Sequence, residues 1–424
     1  MKPYPQNEFE GHQASFIGVD EPIWLTTITL NSSTTAAELQ NVIENIAEGV
    51  PTIIELEGDI SLTGAGIEIP AGVEVGKIIK LTSASSAVIT TIDANKLSRV
   101  IFVKMGSTLY LENIIITGGL DYTGSGVFNA GKLVVEERSV VTGNTAYNGG
   151  GIYNSGTLIM NGGEISGNSV KQGGGGVWNG ADFSMTSGII SGNTAILNGG
   201  GVANSSVFYM YDGEISGNST SNGCGGGVWN KLEFIETGNS VSNEIRLNIT
   251  NYGVWYPAEY NIINGTISGN TATYDGGGVY NQSMLSMTNV TVSGNISTKG
   301  SGGGVYNAGS LAYLIVNGTG YFTDNSASMC TENDDGYCGS GGAIYTDDYS
   351  YTDPADPATY ANISTAESTY FSGNTAAAAY FPPSNAANFT NIGYATTSIT
   401  DLSGYLNPLN NYDINYVGAT EVSI

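Results

Sequence analysis

Catalysis would need residue types that this chain has in small numbers or in scattered positions. The sequence has one histidine, His12, which leaves no material for a His-based metal site or a Ser-His-Asp triad. Its 38 Asp and Glu residues supply carboxylates for glycoside hydrolysis, but no compact cluster of Asp with Arg or Lys recurs at a fixed position. The three arginines, Arg99, Arg138 and Arg246, lie too far apart to neutralise a uronate carboxylate. We therefore expect a protein that is not an enzyme, with a polysaccharide-degrading enzyme as the least favoured alternative.

Charge and composition exclude several kinds of partner. Only 12 Lys and Arg residues oppose the 38 acidic ones, so the net charge at pH 7 is −26. Phosphate backbones and anionic lipid surfaces repel such a chain, and we expect no nucleic-acid partner. No run of 18 apolar residues occurs, so no membrane span is expected. The chain is glycine-rich, with 61 Gly in 424 residues, but it lacks the Gly-X-Y period of collagen.

The most regular chemical feature is an aromatic residue that recurs just before a repeated asparagine. Alternation along a strand turns these side chains outward, so they form one column along the molecule. Such a column can bind sugar rings or a partner surface, or its rings can pack on one another and stabilise the strands. The self-packing ladder is the simpler interpretation, and the binding column is the more specific hypothesis. The column comprises Phe128, Tyr153, Trp178, Trp229, Trp255, Tyr280 and Tyr306, with Ala203 at the equivalent position of one repeat and Tyr345 beyond.

An acidic insertion, 328–369, interrupts the repeat and contains two of the three cysteines. In a secreted protein Cys330 and Cys338 form a candidate local disulfide, which leaves Cys224 to a buried turn or to a bond between chains. The acidic side chains suit Ca²⁺, but residues 331–336 lack the leading Asp of an EF-hand loop. We therefore favour a solvated acidic loop and expect no cofactor, with Ca²⁺ as the alternative.

A repeat of about 25 residues positions these features. The marker Gly-Gly-Gly-(Val/Ile)-(Tyr/Trp)-Asn, or a close variant, ends at asparagines separated by 25, 25, 25, 26, 51 and 26 residues. We interpret the step of 51 as two repeats, the second of them degenerate around Trp255. Inward asparagines at these positions would stack into an amide ladder between repeats. The marker asparagines are Asn129, Asn154, Asn179, Asn204, Asn230, Asn281 and Asn307.

Short runs with period-2 alternation, such as Val290 with Val292, lie between the markers and are separated by the Gly and Asn residues that turns require. Three short strands fit in one repeat. The sequence therefore predicts an all-β, right-handed parallel β-helix of roughly thirteen coils. A second marker, Ser/Thr-Gly-Asn, keeps the same register at Asn144, Asn168, Asn193, Asn218, Asn270, Asn295 and Asn374.

Three segments resemble repeats of a known family. Gly341–Ile344 reads GGAI and Phe371–Asn374 reads FSGN, and both resemble the GGAI and FxxN repeats of chlamydial polymorphic outer membrane proteins. Phe322–Asn325 is another FxxN. Adhesin-like β-helix proteins of other bacteria and of methanogenic archaea have repeats of the same style. The resemblance covers about 118–376 and implies a secreted or surface-displayed β-helix that is often adhesive.

The two ends of the chain differ from the repeats. Thr35 to Glu38 is a capping-box sequence that opens a helix to about Ala47, which we expect to cap the N-terminal end of the rod. An apolar arm precedes it and is expected to pack along its own rod or on a neighbouring subunit. The predicted domains are the arm 1–34, the capping helix 35–50, the β-helix 51–377 with its insertion, and a C-terminal tail 378–424.

The hypothesis that best fits these patterns is an extracellular structural protein. Its β-helix rod would self-assemble into, or decorate, a cell-surface layer, sheath or filament, because the chain combines a long repeat and an apolar arm with no catalytic cluster. The expected partner is another copy, joined through residues 1–30. The alternative is a surface adhesin that binds glycans or a host surface through the aromatic column.

Overall fold

The computed structural model shows a parallel β-helix, which confirms the fold predicted from the repeat. Three parallel sheets, named A, B and C here, run along the rod, and two short antiparallel hairpins lie outside them. The described residues are 21–72, 75–231, 233–236, 253–256, 259–309, 312–327, 339, 341–346, 349–350, 359–360, 362–366 and 368–376.

Sheet A contains 19 strands paired in parallel. Many turns contribute two successive strands to it, and in others the two merge into one strand of 10 or 11 residues. Its strands are Thr26–Leu30, Thr52–Leu56, Ile60–Ser61, Ile78–Ser83, Thr90–Asp93, Thr108–Glu112, Ile114–Thr117, Lys132–Val135, Val140–Thr142, Thr157–Ser166, Asp182–Ser191, Val207–Met210, Glu214–Ser216, Glu259–Ile263, Thr266–Ser268, Met284–Ser293, Tyr313–Thr323, Ile363–Thr365 and Thr369–Ser372.

Sheets B and C are narrower and receive at most one short strand from each turn. The ten strands of sheet B are Ile67–Ile69, Ile101–Val103, Val127–Asn129, Ile152–Asn154, Val177–Asn179, Val202–Asn204, Val228–Asn230, Val279–Asn281, Val305–Asn307 and Ile344–Thr346. The eight strands of sheet C are Thr145–Asn148, Ser169–Gly173, Thr194–Ala195, Ser219–Thr220, Thr271–Ala272, Ile296–Ser297, Ser326–Ala327 and Thr375–Ala376.

The rod has about ten turns, so the prediction of thirteen coils was wrong. Val228–Asn230 pairs directly with Val279–Asn281, and the 51-residue step is therefore one turn with an excursion rather than two coils. The segment taken for a degenerate coil, Gly253–Tyr256, pairs antiparallel with Glu233–Glu236 in a separate hairpin. At a strand spacing of about 4.8 Å, ten strands give a rod roughly 45 Å long.

Inward side chains from all turns form one continuous apolar core. In a typical sheet B strand the first and third residues are buried and the middle one faces outward. Within the core, Phe183 stacks on Phe208 and Phe208 on Tyr260, with ring centroids 4.3 and 4.7 Å apart. Complete burial holds the pKa of Tyr260 well above its ordinary value. The in-register pairing of the strands thus brings aromatic side chains of successive turns face to face in the core.

The glycine-rich part of the marker lets consecutive turns approach closely before each sheet B strand. Gly276 has φ +69°, a left-handed conformation that favours glycine. A Cβ on Gly277 would lie 2.5 Å from the carbonyl oxygen of Gly303 in the next turn. The marker therefore requires glycine for both conformation and space.

Helix α1, Ala36–Asn45, packs on the N-terminal end of the rod and confirms the predicted helix. Thr35 and Glu38 form the capping box: the Thr35 N–H donates to Glu38 Oε2 at 2.8 Å, and the Glu38 N–H donates to Thr35 Oγ1 at 3.3 Å. Leu39 and Ile43 are fully buried in the core. The buried Lys77 side chain donates to the carbonyl oxygen of Glu44 at 3.1 Å, so it binds the C-terminal end of the helix.

The described part of the predicted arm lies on the rod of its own chain. Thr26–Leu30 pairs in parallel with Thr52–Leu56 and is the first strand of sheet A. The Leu25 N–H donates to the carbonyl oxygen of Pro51 at 3.0 Å. Residues 1–20 lie outside the described residues, so association through them stays a prediction.

Candidate binding surface

Marker asparagines fix the strands that carry the aromatic column. Each is the third residue of its sheet B strand and is fully buried. The Asn129 Nδ2 donates to Asn154 Oδ1 at 2.7 Å, and equivalent bonds of 2.7 to 2.9 Å continue from turn to turn down to Asn307. Asn154 Nδ2 also donates to the carbonyl oxygen of Asp182 at 2.9 Å. Because the asparagine points inward, the preceding residue points outward.

A second amide ladder lies at the corner between sheets A and C. Asn168 Oδ1 accepts from the Asn144 N–H at 3.1 Å and from Asn144 Nδ2 at 3.0 Å. The same Nδ2 to Oδ1 bond recurs through every later marker to Asn374, with Asn325 included. Two columns of buried amides thus fix the register between successive turns of the rod.

The N-terminal half of the column is a stack of rings on the outer side of sheet B. Phe128 stacks on Tyr153 with centroids 5.0 Å apart, and Tyr153 on Trp178 with centroids 4.4 Å and planes 5° apart. The stack begins one turn earlier than predicted, at Phe102, whose ring meets Phe128 edge-on at 5.1 Å. The Arg99 guanidinium lies 4.9 Å from the Phe128 ring centre, so a cation covers this end of the stack.

The C-terminal half of the column follows after one interruption. Ala203 occupies the column position between Trp178 and Trp229 and is 1% exposed. Trp229 pairs in register with Tyr280, which stacks on Tyr306 with centroids 5.2 Å apart. These rings are half-buried.

The stacking direction decides what the column can offer to a partner. In the stacked pairs the ring planes lie within 22° of parallel, so ring faces contact neighbouring rings and ring edges point away from the rod. A sugar ring that stacks on an aromatic residue needs a free ring face. The geometry is that of a self-packing ladder.

Two excursions leave the rod beside the C-terminal half of the column. The first begins after Lys231 and returns at Glu259, and the second begins after Thr346 and returns before Ile363. Both leave after a sheet B strand, rejoin sheet A, and include an antiparallel hairpin. Trp255 belongs to the first hairpin, so its predicted place in the column was wrong. Its Gly-Val-Trp sequence imitates the marker.

We call this region the hairpin corner: the hairpin strands Glu233–Glu236, Gly253–Tyr256, Tyr349–Ser350 and Thr359–Tyr360, together with Trp229, Tyr280 and Tyr306. Loops held by a rigid scaffold commonly carry binding function. The sequence signal that could have revealed the corner is the doubled 51-residue step itself.

The cysteine and Ca²⁺ predictions fall mostly outside the described residues. Cys330, Cys338 and all acidic residues of the insertion lie there, so the disulfide and the Ca²⁺ alternative stay predictions. Cys224 is a half-buried free thiol, and burial raises its pKa to about 11. Within the ranges given above, no group of three or more His, Cys, Asp or Glu residues is arranged to hold a metal ion.

Two aromatic pairs outside the column could not be predicted from the repeat. Tyr321 stacks on Tyr370 at 5.3 Å, and these residues are 46% and 38% exposed. Tyr122 stacks on Tyr147 at 4.9 Å at the other end of the rod. Register explains this, because the turn before Tyr321 has Thr291 at the same position and so breaks the pattern.

Comparison with protein families supports the resemblance seen in the repeats. Residues 264–282 and 319–347 match the Chlamydia polymorphic membrane protein (Chlamydia_PMP) repeat, and the second segment contains the predicted motifs Phe322–Asn325 and Gly341–Ile344. The match supports the resemblance, and the parallel β-helix is the fold that the resemblance implies. No curated protein and no solved structure matched the chain. No described helix has the length and apolar character to cross a membrane.

Proposed function

We propose that this protein is a surface-exposed, adhesin-like β-helix protein that binds its target at the hairpin corner and is not an enzyme. The repeat match supports a place at the cell surface, because the Chlamydia polymorphic membrane protein family is surface-associated. The residue types discussed above support a role without catalysis. We expect the target to lie on the surface of another cell.

The observation that carries the proposal is the unbroken rod beneath the excursions. Asn230 Nδ2 donates to Asn281 Oδ1 at 2.8 Å across the 51-residue step, as in any other turn. Trp229 and Tyr280 remain neighbours in register at the same place. The amide ladder and the strand register of the rod therefore continue across the first excursion.

Removal of the first excursion tests this proposal. A variant that lacks residues 233–258 should lose binding to cells, because the chain then passes directly to the next strand. Tyr280→Ala should weaken binding about 10-fold or more, since buried aromatic anchors dominate interfaces. Tyr122→Ala, far along the rod, is the matched control and should bind like the parent.

Cell binding by fluorescence, with a glycan array in parallel, is the measurement. Equal binding by all three variants would overturn the assignment to the hairpin corner. Binding to the array rather than to protein-coated surfaces would identify a glycan as the target. Release of reducing or unsaturated sugar from a polysaccharide panel would contradict the non-enzymatic role.

Self-assembly into a filament or sheath is the second proposal, and exposed apolar side chains near sheet C support it. Large exposed apolar surfaces commonly mark association sites. Electron microscopy of the native protein, with a sample lacking residues 1–30, is the test: polymers are expected, and isolated rods in both samples would contradict assembly. The side chains are Leu120, Tyr122, Ile196, Leu197, Tyr274 and Ile296, which are 36% to 66% exposed.

A further inference from the structure

Three consecutive turns carry an exposed Asn-X-Thr sequence at one corner of sheet A. They are residues 264–266, 289–291 and 317–319, which read NGT, NVT and NGT. The pairing of their strands places the three sequences side by side. All three asparagines are exposed. Asn-X-Ser/Thr is the sequon that accepts an N-linked glycan, so this corner presents three candidate acceptors.

Burial excludes a glycan from five other sequons of the described chain, whose asparagines are at most 3% exposed. Asn218 shows the reason. Its Nδ2 donates to Asn270 Oδ1 at 3.0 Å and to the carbonyl oxygen of Ile190 at 2.9 Å, so a sugar on this atom would break the amide ladder. The sequon of Asn31 is also exposed, but it lies alone at the N-terminal end of the rod. The five buried asparagines are Asn204, Asn218, Asn281, Asn295 and Asn362.

The fold itself does not require these residue types at this corner. In the preceding turn Glu214 pairs in register with Thr266, and Asp212 stands in the place of Asn264. Ile189 pairs with Glu214 one turn earlier still. The same turn and strand therefore form without Asn and Thr, so the geometry of the rod does not account for three neighbouring sequons.

The middle asparagine differs from the two that flank it. Asn289 Nδ2 donates to Asn264 Oδ1 at 3.3 Å, and Asn289 Oδ1 accepts from the Thr319 N–H at 3.0 Å. The Nδ2 atoms of Asn264 and Asn317 donate to no group in the described part of the chain. These two residues lie two turns apart, roughly 10 Å at the usual strand spacing, whereas glycans on adjacent turns would be only about 5 Å apart and would crowd each other.

We propose that Asn264 and Asn317 carry N-linked glycans and that Asn289 between them stays unmodified. The donor is an oligosaccharide linked to a lipid phosphate. The asparagine Nδ2 forms a bond to the anomeric carbon, the bond from that carbon to the phosphate oxygen breaks, and the amide loses one proton as the lipid phosphate leaves. The reaction leaves Oδ1 in place, so a glycan on Asn264 preserves the hydrogen bond from Asn289. This inference requires the cell-surface location proposed above but not the adhesive function.

Glycopeptide mapping of the full-length protein from its native cells tests this inference. Mass spectrometry with electron-transfer fragmentation, which preserves the bond between sugar and asparagine, should assign glycans to Asn264 and Asn317. It should assign none to Asn289 or to the buried Asn281. Thr266→Val, produced in the same cells, should lose the glycan on Asn264, because the sequon needs the hydroxyl group. Thr266→Ser keeps that hydroxyl group and should keep the glycan.

Thr291→Val is the matched control, since it removes only the middle sequon and should leave the glycan pattern unchanged. Circular dichroism of each variant shows whether the rod is folded, which separates loss of a sequon from unfolding. Unmodified Asn264 and Asn317 in the native protein would overturn the inference, as would glycans on Asn31 alone. A glycan on Asn289 in most molecules would contradict the role of spacer given to this residue. Cell binding is a separate measurement, so failure of the adhesive proposal would leave this inference standing.

Discussion

Buried amides are the residues on which this fold depends most directly. Asn179 uses its whole side chain: Oδ1 accepts from Asn154, and Nδ2 donates to Asn204 and to backbone carbonyls. The first member differs, since Asn129 Oδ1 is buried without a partner. Val103 occupies its register position in the preceding turn and has no amide to donate. The position in the ladder should therefore set the effect of a substitution.

Asn179→Ala and Asn129→Ala should destabilise the rod to different extents. Asn179→Ala leaves a donor on Asn154 and an acceptor on Asn204 without their ladder partners, so we expect a loss of about 2–4 kcal/mol in the free energy of unfolding. Asn129→Ala removes one ladder bond and an acceptor that is already unpaired, and should lose about 1–2 kcal/mol. Urea unfolding followed by circular dichroism measures both. Equal losses of unfolding free energy would contradict the expected effect of position in the ladder.

Glu136 should make the stability of the protein depend on pH, and the direction of its pKa shift sets the sign of that dependence. Burial, together with the nearby Glu21 and Glu112, raises its pKa, against a hydrogen bond from Asn161 and the charge of Lys80. A carboxyl with a raised pKa weakens folding above its folded pKa, and the effect vanishes below its unfolded pKa of about 4.3.

Glu136→Gln should therefore stabilise the protein at pH 7 and make no difference near pH 3. The amide oxygen of the glutamine can still accept the hydrogen bond from Asn161 Nδ2. Thermal unfolding of both proteins across this pH range is the measurement, with the exposed Glu57→Gln as control. A stability difference that grows as the pH falls would contradict the assigned sign.

At the scale of the elements, the glycine corner sets the distance between turns. Gly277→Ala should lower the free energy of unfolding by about 1–3 kcal/mol, since its Cβ would meet the backbone oxygen of Gly303 at 2.5 Å and the backbone must shift. Gly64→Ala is the matched control, because no atom lies within 4 Å of its Cβ position. Comparison of their unfolding midpoints checks the prediction. A stable Gly277→Ala protein would mean that the corner can expand.

At the scale of the molecule, structural features that recur in every turn could be predicted from the sequence. Features that occur only once could not. Marker asparagines such as Asn154 predicted the strands, their register and the inward amides, because each turn imposes the same constraints. The same logic misassigned Trp255, because three residues of an excursion imitated the marker. The burial of Val134 on the outer side of sheet A could not be predicted either. Alternation distinguishes inward from outward, but it does not show which outward side chains Trp24 and Ile78 pack against.

The spacing of the first excursion leads to a prediction about the whole rod. Removal of the 26 residues 233–258 changes the spacing between Asn230 and Asn281 from 51 to 25 residues, which is that of a regular turn. Two residues, Lys231 and Leu232, would then separate Asn230 from the next sheet A strand, just as Gln282 and Ser283 follow Asn281. The pairing across the step already exists in the full chain.

The shortened protein should therefore fold, with the β-sheet circular dichroism of the parent. Its free energy of unfolding should be equal or higher by about 1 kcal/mol, since a shorter loop loses less entropy on closure. Urea unfolding of the two proteins decides the point. If the shortened chain were unfolded, the excursion would be part of the scaffold, and the loss of cell binding could no longer be assigned to the hairpin corner. A folded shortened chain that no longer binds cells would separate the scaffold from the binding surface.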